Sequence, residues 1–241
     1  MWARSILTKT SLYHVDYTLN PYRGCGHRCL YCYVPHLPGF DEDVNLNPEP
    51  KQNAVTLLLR EIRTKKPGLV MISSATDPYQ PMEARLKLTR RLLEIFSMFP
   101  QWRIRILTKS ALVTRDIDIL GKIRDLEVGI TITTDRDDVR RLMEPRASSI
   151  QARVKALKKL KENNIRTYVS IAPILPMNPE KLAEMLEGLV DYVFIDTMHY
   201  PSSVAKPFVK LGWEYVLTDS WQEEMVYRLR EAFSGVPIEG G

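Results

Sequence analysis

The sequence contains few cysteines, and all of them lie on one short segment. Cys25, Cys29 and Cys32 are the only cysteines among its 241 residues. Three cysteines cannot form a fully paired disulfide framework, and in a reducing compartment such a group is more typical of a metal site. Because there is no fourth cysteine, a second cysteine-bound metal cluster is excluded for this sequence.

Long apolar runs are also missing. None approaches the roughly 18 residues of a membrane-spanning helix. Residues 1–17 alternate polar and apolar side chains, whereas a signal peptide has a continuous apolar centre. We therefore expect a cytoplasmic protein that does not enter a membrane. The sequence shows no repeat and no linker rich in glycine or serine, so its composition does not divide it into separate domains.

Six apolar runs rich in β-branched residues alternate with amphipathic stretches, a pattern that predicts parallel strands joined by helical crossovers. The predicted strands lie near 15–19 and at 68–73, 103–107, 127–132, 166–171 and 191–195. The predicted helices lie at about 51–65, 83–98, 114–125, 149–163 and 179–188. No glycine-rich dinucleotide-binding motif follows a strand, so a Rossmann-type sheet has no positive support. The pattern leaves two architectures, an open doubly wound sheet or a partly closed barrel.

The C-terminal residues differ from this alternating pattern. Residues 201–215, PSSVAKPFVKLGWEY, are rich in turn formers, and we expect a turn-rich stretch there. A final helix is predicted near 219–234. This region contains no recognisable RNA-binding appendage.

The net charge is mildly positive, at +5. Such a charge permits nucleic-acid binding without requiring it. The most basic stretch, RVKALKKLKENN at 153–164, places Val154, Leu157 and Leu160 at helical spacing among its charges. This spacing predicts a solvated helix face rather than a phosphate-binding patch.

Polar and turn-forming residues follow the predicted strands. The segments are SSATDPYQP (73–81), TKS (108–110), TTDRDD (133–138), APILP (172–176) and DTMHY (196–200). In βα-barrels the active site lies at the carboxyl ends of the strands, and the cysteine segment follows the first strand. One polar loop would mean little, but these loops together with the cysteine segment predict a shared site.

The Cys-x3-Cys-x2-Cys spacing is compatible with two kinds of metal site. Zinc would need a fourth ligand, and His27 or His36 would complete a Cys3His site. An iron–sulfur cluster usually takes four thiolates, so three would leave one iron open to a substrate or cofactor. An open iron at the mouth of a barrel suits an enzyme, and the spacing favours the cluster over zinc.

The cysteine segment resembles the signature of the radical S-adenosylmethionine (SAM) enzymes. The resemblance rests on Cys25, Cys29 and Cys32, with Tyr31 before the last cysteine and Tyr33 after it. Further blocks between about residues 15 and 197 are similar to the spore photoproduct lyase-like branch of that superfamily. These blocks are SSATDPYQPME (73–83), LTKSALVTRDIDIL (107–120), ITITTD (130–135), MEPRASSIQARVKAL (143–157) and SIAPILP (170–176).

The resemblance implies a partial (β/α)6 TIM-like barrel of the radical SAM type over residues 1–200, with the cluster loop at 23–36. Residues 201–241 would form a short C-terminal helical extension packed on the same domain. The resemblance also implies one [4Fe-4S] cluster held by the three cysteines, with S-adenosyl-L-methionine chelating the fourth iron. An electron from a ferredoxin- or flavodoxin-type donor would cleave SAM to a 5′-deoxyadenosyl radical, which abstracts hydrogen from the substrate.

Four SAM contacts follow from the same resemblance. Thr76 would lie near the SAM amino group, and Tyr33 would lie beside the adenine. Lys109 and Thr131 would meet the carboxylate, which for the lysine is a charge-assisted contact. Each residue also has a structural interpretation. Thr76 is a suitable turn cap, and Lys109 an ordinary exposed lysine. Thr131 suits a strand position facing a helix, and Tyr33 suits local packing.

One position departs from the lyase pattern. The photoproduct lyases use a further cysteine as hydrogen-atom donor, and Ser74 stands at that position here. A serine O–H bond is too strong to replace a thiol in hydrogen-atom transfer, so thymine-dimer repair by the usual route is not expected. Tyr31 matches a lyase tyrosine, and its phenol is a candidate radical relay. Asp196, His199 and Tyr200 are candidates for substrate contact, or are simply polar residues at a strand end. Asp196, His199 and Tyr31 are also the candidates for catalysis.

Three functions therefore stay open. The favoured one is a radical SAM enzyme acting on an unknown substrate. The second is a DNA lyase that repairs photoproducts, which the positive charge favours and Ser74 opposes. The third is a non-enzymatic zinc or iron–sulfur binding module.

Overall fold

The strands of the fold are short, and most belong to one sheet. The computed structural model describes residues 1–41 and 43–240. Its strands are β1 (Thr8–Lys9), β2 (Tyr17–Leu19), β3 (Tyr22–Arg23), β4 (Glu49–Pro50), β5 (Leu69–Ile72), β6 (Arg103–Thr108), β7 (Asp125–Thr131), β8 (Arg166–Ile171), β9 (Tyr192–Ile195) and β10 (Ile238–Gly240). β3 and β4 form a separate antiparallel pair on either side of the cysteine segment.

Helices connect the strands of the main sheet. They are α1 (Ala54–Thr64), α2 (Glu83–Leu86), α3 (Leu88–Phe96), α4 (Ile117–Leu120), α5 (Asp137–Met143), α6 (Ile150–Glu162), α7 (Pro179–Leu186), α8 (Pro201–Leu211) and α9 (Asp219–Ala232). Within the described ranges, three 3-10 helices lie at Val34–His36, Ala111–Asp116 and Glu214–Leu217. Over the described residues, no helix is both long enough and apolar enough to cross a membrane.

The main sheet has the strand order β1-β2-β5-β6-β7-β8-β9-β10. All neighbours from β2 to β10 are parallel, and β1 pairs antiparallel with β2. The six predicted strands are confirmed as β2 and β5 to β9. The additional edge strands β1 and β10 have two and three residues, too few to show a hydrophobic period. In the described part of the chain no ladder joins β1 to β10, so the barrel is partial.

One face of the sheet is apolar and packs against the helices. On this face lie fully buried side chains from five neighbouring strands: Val70, Ile106, Val128, Val169 and Val193. They share one hydrophobic core with apolar side chains of α1, α3, α6 and α7. The β-branched and aliphatic residues of this face explain why the sequence pattern located the strands.

The other face fills the amino-terminal end of the partial barrel with polar and aromatic side chains. Arg105 forms an ion pair with Glu127 on the next strand. The rings of Tyr168 and Tyr192 stack with their centroids 4.7 Å apart. Gly129 lies under this stack, and a Cβ atom there would come within 2.1 Å of the Tyr168 ring. Side chains therefore fill the amino-terminal end of the barrel, and the polar loops lie at the opposite, carboxyl end of the sheet.

The prediction of one helix over 83–98 is wrong. The helix is interrupted at Lys87, which adopts a left-handed conformation with φ of 50°, and it divides into α2 and α3. The carboxylate of Glu83 accepts a hydrogen bond from the Thr89 amide at 2.9 Å. This bond satisfies a donor in the first turn of α3 and stabilises the interruption.

Other helix predictions also differ from the structure. The stretch 201–215, expected to be turn-rich, contains α8. Pro201 lies in the first turn of α8, where a proline costs no hydrogen bond, and Gly212 ends the helix with φ of 67°. The predicted helix over 114–125 is instead a 3-10 helix followed by the short α4, and α5 was not predicted. The final helix near 219–234 is confirmed as α9.

A second hydrophobic cluster connects the C-terminal helices to the cysteine segment. It contains Tyr31, Met143 and Leu175 together with Val204 and Phe208 of α8. The aromatic ring between two cysteines thus belongs to the same hydrophobic cluster as side chains from α5 and α8.

Candidate active site

The three cysteines lie on the loop that follows β3, and none forms a disulfide. Burial raises the pKa of Cys25, and negative charge on Asp77 and on the neighbouring thiols raises it further. Burial likewise raises the pKa of Cys29 to about 12. Each thiol therefore disfavours ionisation of the other thiols. Positively charged iron bound to the sulfurs would remove this repulsion. Three clustered thiols suit an iron–sulfur cluster. Among the described residues, no three His, Cys, Asp or Glu side chains converge on a position for a single metal ion.

A buried glutamine anchors the cysteine loop to the loop after β5. Gln80 is fully buried. Its Oε1 accepts a hydrogen bond from the Gly26 amide at 2.8 Å, and its Nε2 donates to the Gly24 carbonyl at 3.2 Å. The Thr76 hydroxyl donates to the same carbonyl at 2.6 Å. The structure thus gives Thr76 an anchoring role, and its contact with SAM stays a prediction.

The carboxylate of Asp77 ties the cysteine loop to the end of β6. It accepts hydrogen bonds from the Thr108 hydroxyl at 2.6 Å and the Lys109 amide at 2.7 Å. His27 Nε2 lies 3.3 Å from Asp77 Oδ2, within ion-pair distance but outside hydrogen-bond alignment. His27 Nδ1 lies 3.2 Å from the Arg146 carbonyl. Both ring nitrogens of His27 therefore face protein groups, which does not favour this histidine as a zinc ligand.

The pKa of Asp77 is strongly perturbed. Burial would raise it, but His27 and the hydrogen bonds from Thr108 and Lys109 lower it to about 2. The carboxylate is therefore charged at neutral pH and holds its donors in place.

A buried ion pair lies beneath Tyr31. The Tyr31 hydroxyl and the Thr133 hydroxyl both donate to Glu144 Oε1, and the Arg153 guanidinium donates to Glu144 Oε2. Arg153 also donates to the Thr131 carbonyl at 2.9 Å. Glu144 and Arg153 are fully buried. The prediction of a solvated basic helix face is therefore wrong for Arg153, whose charge is taken up by this network.

The two acidic groups of the network keep distinct protonation states. Burial raises the pKa of Tyr31, and the nearby charges of Cys29 and Glu144 raise it further. Burial would also raise the pKa of Glu144, but the charges of Arg153 and Lys109 bring it below its usual value. The phenol consequently keeps its proton, and the carboxylate accepts the hydrogen bond.

Lys109 extends from the end of β6 toward the cysteine loop. Its Nζ lies 5.7 Å from the centroid of the Tyr31 ring, a cation–π contact. The side chain is half-buried, and among the described residues its ammonium has no ion-pair partner. Its positive charge lowers the pKa of Cys29 against the effect of burial. A half-buried cation beside the thiols is suitably placed to meet an anionic group.

Aromatic and polar side chains surround the mouth of the barrel at the end of β9. The Tyr33 ring lies 5.5 Å from the Tyr200 ring and 6.2 Å from the His199 ring, measured between centroids. His199 Nε2 lies 2.8 Å from Asp196 Oδ2. Three candidates from the last strand end are thus brought together with a residue of the cysteine loop.

Thr131 and Ser74 occupy different environments. Thr131 is buried on the face of the sheet that also carries Gly129, so it faces the barrel interior rather than a helix. The Ser74 hydroxyl accepts a hydrogen bond from Asn20 Nδ2 at 3.2 Å, and the Ser74 amide donates to Asn20 Oδ1 at 3.1 Å. Ser74 therefore lies where the ends of β2 and β5 meet.

Sequence analysis missed one residue in direct contact with a cysteine sulfur. Asn45 Nδ2 donates to Cys32 Sγ at 3.3 Å, and Asn45 Oδ1 accepts from the Cys25 amide at 2.9 Å. Asn45 belongs to a loop without recognisable motif, so no sequence signal identifies it. Gln80 and Glu144 were missed as well, although both lie within the blocks quoted above.

Comparison with protein families gives one match over most of the chain. The model of the radical SAM superfamily matches residues 19–216. An uncharacterized protein of Methanocaldococcus jannaschii is 34% identical over 176 residues, which are 72% of this chain and 66% of that protein. An uncharacterized protein of Acidianus two-tailed virus is 30% identical over 231 residues, covering 86% of this chain and 75% of that protein. The chain thus spans about two thirds to three quarters of these relatives.

Solved structures with the same fold include a spore photoproduct lyase complexed with dinucleoside spore photoproduct. It has a TM-score of 0.73 and 15% identity, covering 100% of this chain and 81% of that chain. Streptococcus suis SuiB bound to precursor peptide SuiA has a TM-score of 0.63 and 14% identity, covering 93% of this chain and 48% of that chain. The expected fold is therefore confirmed.

The low pKa of Asp77 predicts acid sensitivity. Its contribution to stability should be fully present above pH 4, because the unfolded carboxyl is then ionised too, and should be lost as the pH falls toward 2. The difference between the two pKa values corresponds to about 2 kcal/mol. Urea unfolding of wild type and Asp77→Asn at pH 7 and pH 3 measures this contribution, and the difference between their free energies of unfolding should be smaller at pH 3 than at pH 7.

The matched control is Asp125→Asn, which changes an exposed carboxylate at the start of β7. This variant should follow the wild-type pH dependence. An equal pH dependence in wild type and Asp77→Asn would contradict the assignment.

Proposed function

The chain belongs to the radical SAM superfamily, and on this premise we propose that it is a radical SAM enzyme whose single [4Fe-4S] cluster is held by Cys25, Cys29 and Cys32. The observation that carries the proposal is the position of the cysteine loop. The loop is hydrogen-bonded through Gln80 to the carboxyl end of β5, and through Glu144, which follows α5, to Thr133 at the carboxyl end of β7. Active sites of βα-barrels lie at this edge.

The cofactors would supply the bond-breaking chemistry. When bound and reduced, the cluster and SAM provide a 5′-deoxyadenosyl radical that takes a hydrogen atom from the substrate. A ferredoxin- or flavodoxin-type protein is the proposed electron donor. The work left to this chain is to hold the cofactors, orient them and position the substrate.

Lys109 is the proposed partner of the SAM carboxylate. Its ammonium is half-buried beside Tyr31, and Asp77 fixes its backbone through the Lys109 amide. A cation held in this way offers a charge-assisted hydrogen bond to an anion. We assign Thr131, on the interior face of the neighbouring strand, to the same carboxylate.

Thr76 and Tyr33 complete the proposed SAM contacts. The Thr76 hydroxyl donates a hydrogen bond to the Gly24 carbonyl of the cysteine loop. Its oxygen is the proposed contact of the SAM amino group. Tyr33 presents an aromatic surface beside Tyr200, and such surfaces suit a planar adenine ring.

The substrate side of the site is proposed at the end of β9. Asp196 holds His199 through the ring Nε2, and an imidazole oriented by a carboxylate is a common general acid or base in enzymes. Tyr31 and these two residues are the proposed catalytic candidates. The substrate itself is unknown, and nucleic acid is one candidate.

A second candidate function is repair of a DNA photoproduct. The fold shared with a spore photoproduct lyase and the net charge of +5 favour it. Ser74 opposes it, because its hydroxyl stands where the lyase pattern has a thiol. The site therefore supports radical formation more strongly than it supports this particular repair reaction.

Metal content and SAM cleavage test the proposal. Anaerobic reconstitution should give about four irons and four sulfides per chain. Replacing Cys25, Cys29 or Cys32 by Ala should remove most of the iron, because each supplies one of three protein ligands. The reduced wild type should release 5′-deoxyadenosine from SAM. Protein made with both metals available that contains one zinc and no iron would contradict the proposal and favour the binding module.

Lys109→Ala should weaken SAM binding and leave the iron content unchanged, because it removes a charged contact and no metal ligand. The loss should be about 1.5–3 kcal/mol, or roughly tenfold to a hundredfold in affinity. Calorimetric titration of reconstituted protein with SAM measures the change. Lys158→Ala is the control, since Lys158 is exposed on α6, and it should bind SAM as the wild type does. Equal affinities for wild type and Lys109→Ala would show that Lys109 is not a SAM ligand.

The wild-type protein should release 5′-deoxyadenosine but should not efficiently convert spore photoproduct in an oligonucleotide to thymines, because Ser74 cannot donate a hydrogen atom as a thiol does. Ser74→Cys should gain some repair activity. Ser203→Cys, which adds a thiol at an exposed position of α8, should gain none. Repeated thymine release by the wild type would overturn this prediction and favour the DNA lyase.

A further inference from the structure

The loop between the cysteine segment and β4 provides a hydrogen bond to a cysteine sulfur. Asn45 is 8% exposed. Its side-chain amide bridges the first and the last cysteine of the motif, accepting from the Cys25 amide at 2.9 Å and donating to Cys32 Sγ at 3.3 Å. Both contacts are made by one rigid planar group.

The orientation of this amide is determined by its partners. The backbone amide nitrogen of Cys25 is only a donor, so the Asn45 atom that faces it must be the carbonyl oxygen. The NH2 group consequently faces Cys32 Sγ. A carboxylate at position 45 would keep the first contact and place an oxygen, with no proton, against the sulfur.

The loop that carries Asn45 is held closely against the cysteine segment. The Arg28 guanidinium donates to the Leu46 carbonyl at 2.9 Å. Gly24 has φ of 74°, and a Cβ atom there would come within 2.0 Å of the Val44 carbonyl oxygen. Gly24 therefore permits the close approach that places Asn45 next to the sulfur.

We propose that Asn45 is a positioning residue that raises the reduction potential of the cluster by donating an N–H···S hydrogen bond to Cys32. The inference rests on the proposed cluster. A donor to a ligand sulfur stabilises negative charge on the cluster, and the reduced state carries one more negative charge than the oxidised state. Hydrogen bonds to the sulfurs are among the factors that set cluster potentials. Asn45 thereby makes the cluster easier to reduce.

The test is an EPR-monitored redox titration of reconstituted wild type, Asn45→Ala and Asn45→Asp. Both variants should have a more negative midpoint potential. At a fixed solution potential, the ratio of reduced to oxidised cluster should fall about tenfold for Asn45→Ala, equal to 59 mV for a one-electron couple. The ratio should fall further for Asn45→Asp, because this substitution adds a negative charge beside the sulfur.

Asn53→Ala is the matched control. Asn53 also bridges backbone groups with its amide, accepting from the Ala3 amide at 2.9 Å and donating to the Ala3 carbonyl at 2.8 Å, and it contacts no cysteine. This control should keep the wild-type potential. A shift in Asn53→Ala equal to that in Asn45→Ala would overturn the inference, because the shift would then follow from loss of any bridging amide.

The remaining outcomes are also decisive. An Asn45→Ala protein with full iron content and an unchanged potential overturns the inference. If Asn45→Ala binds no cluster, Asn45→Asp decides, because it retains the acceptor for the Cys25 amide, and an unchanged potential in that variant overturns the inference. Absence of iron from the wild type would instead refute the proposed cluster, so the two failures are distinguishable.

Discussion

The buried ion pair between Glu144 and Arg153 is the interaction on which the arrangement of the site depends. Isolated buried charges are costly, and a buried pair is tolerated only when further hydrogen bonds satisfy both partners. Here Glu144 also accepts from Tyr31 and Thr133, and Arg153 also donates to backbone carbonyls. Removing one partner would leave the other charge uncompensated. The pair therefore joins α6, the end of β7 and the cysteine loop in one arrangement.

Asp77 holds the opposite side of the same loop. It is charged, buried and hydrogen-bonded to the end of β6, and His27 lies against it. The cysteine loop is thus held between two buried carboxylates, with the cation of Lys109 close to Tyr31 between them. Negative groups in this arrangement are already matched by their own donors. The ammonium of Lys109 has no such partner among the described residues, which is why it is the group best suited to a ligand.

The sequence predicted the parts of this structure that depend on local pattern. The six central strands are rich in β-branched and other apolar residues, and the three cysteines lie on one short segment. The contacts that build the site join residues far apart in the chain, such as Tyr31 and Glu144, separated by 113 positions. No periodicity encodes such a pair, and Asn45 has no motif at all. α8 was missed because its prolines resemble turn signals, although Pro201 occupies a helical position where proline is favoured.

The anchoring of the cysteine loop has a consequence for its conformational entropy. Gln80 and Thr76 hydrogen-bond to backbone groups of the loop, and Glu144 accepts a hydrogen bond from Tyr31 within it. Fixing a free loop costs about 1–2 kcal/mol per residue, and these bonds offset part of that cost. A ligand of the thiols would therefore spend less of its binding free energy on ordering the loop than the metal of a small zinc domain, which becomes ordered only when metal binds.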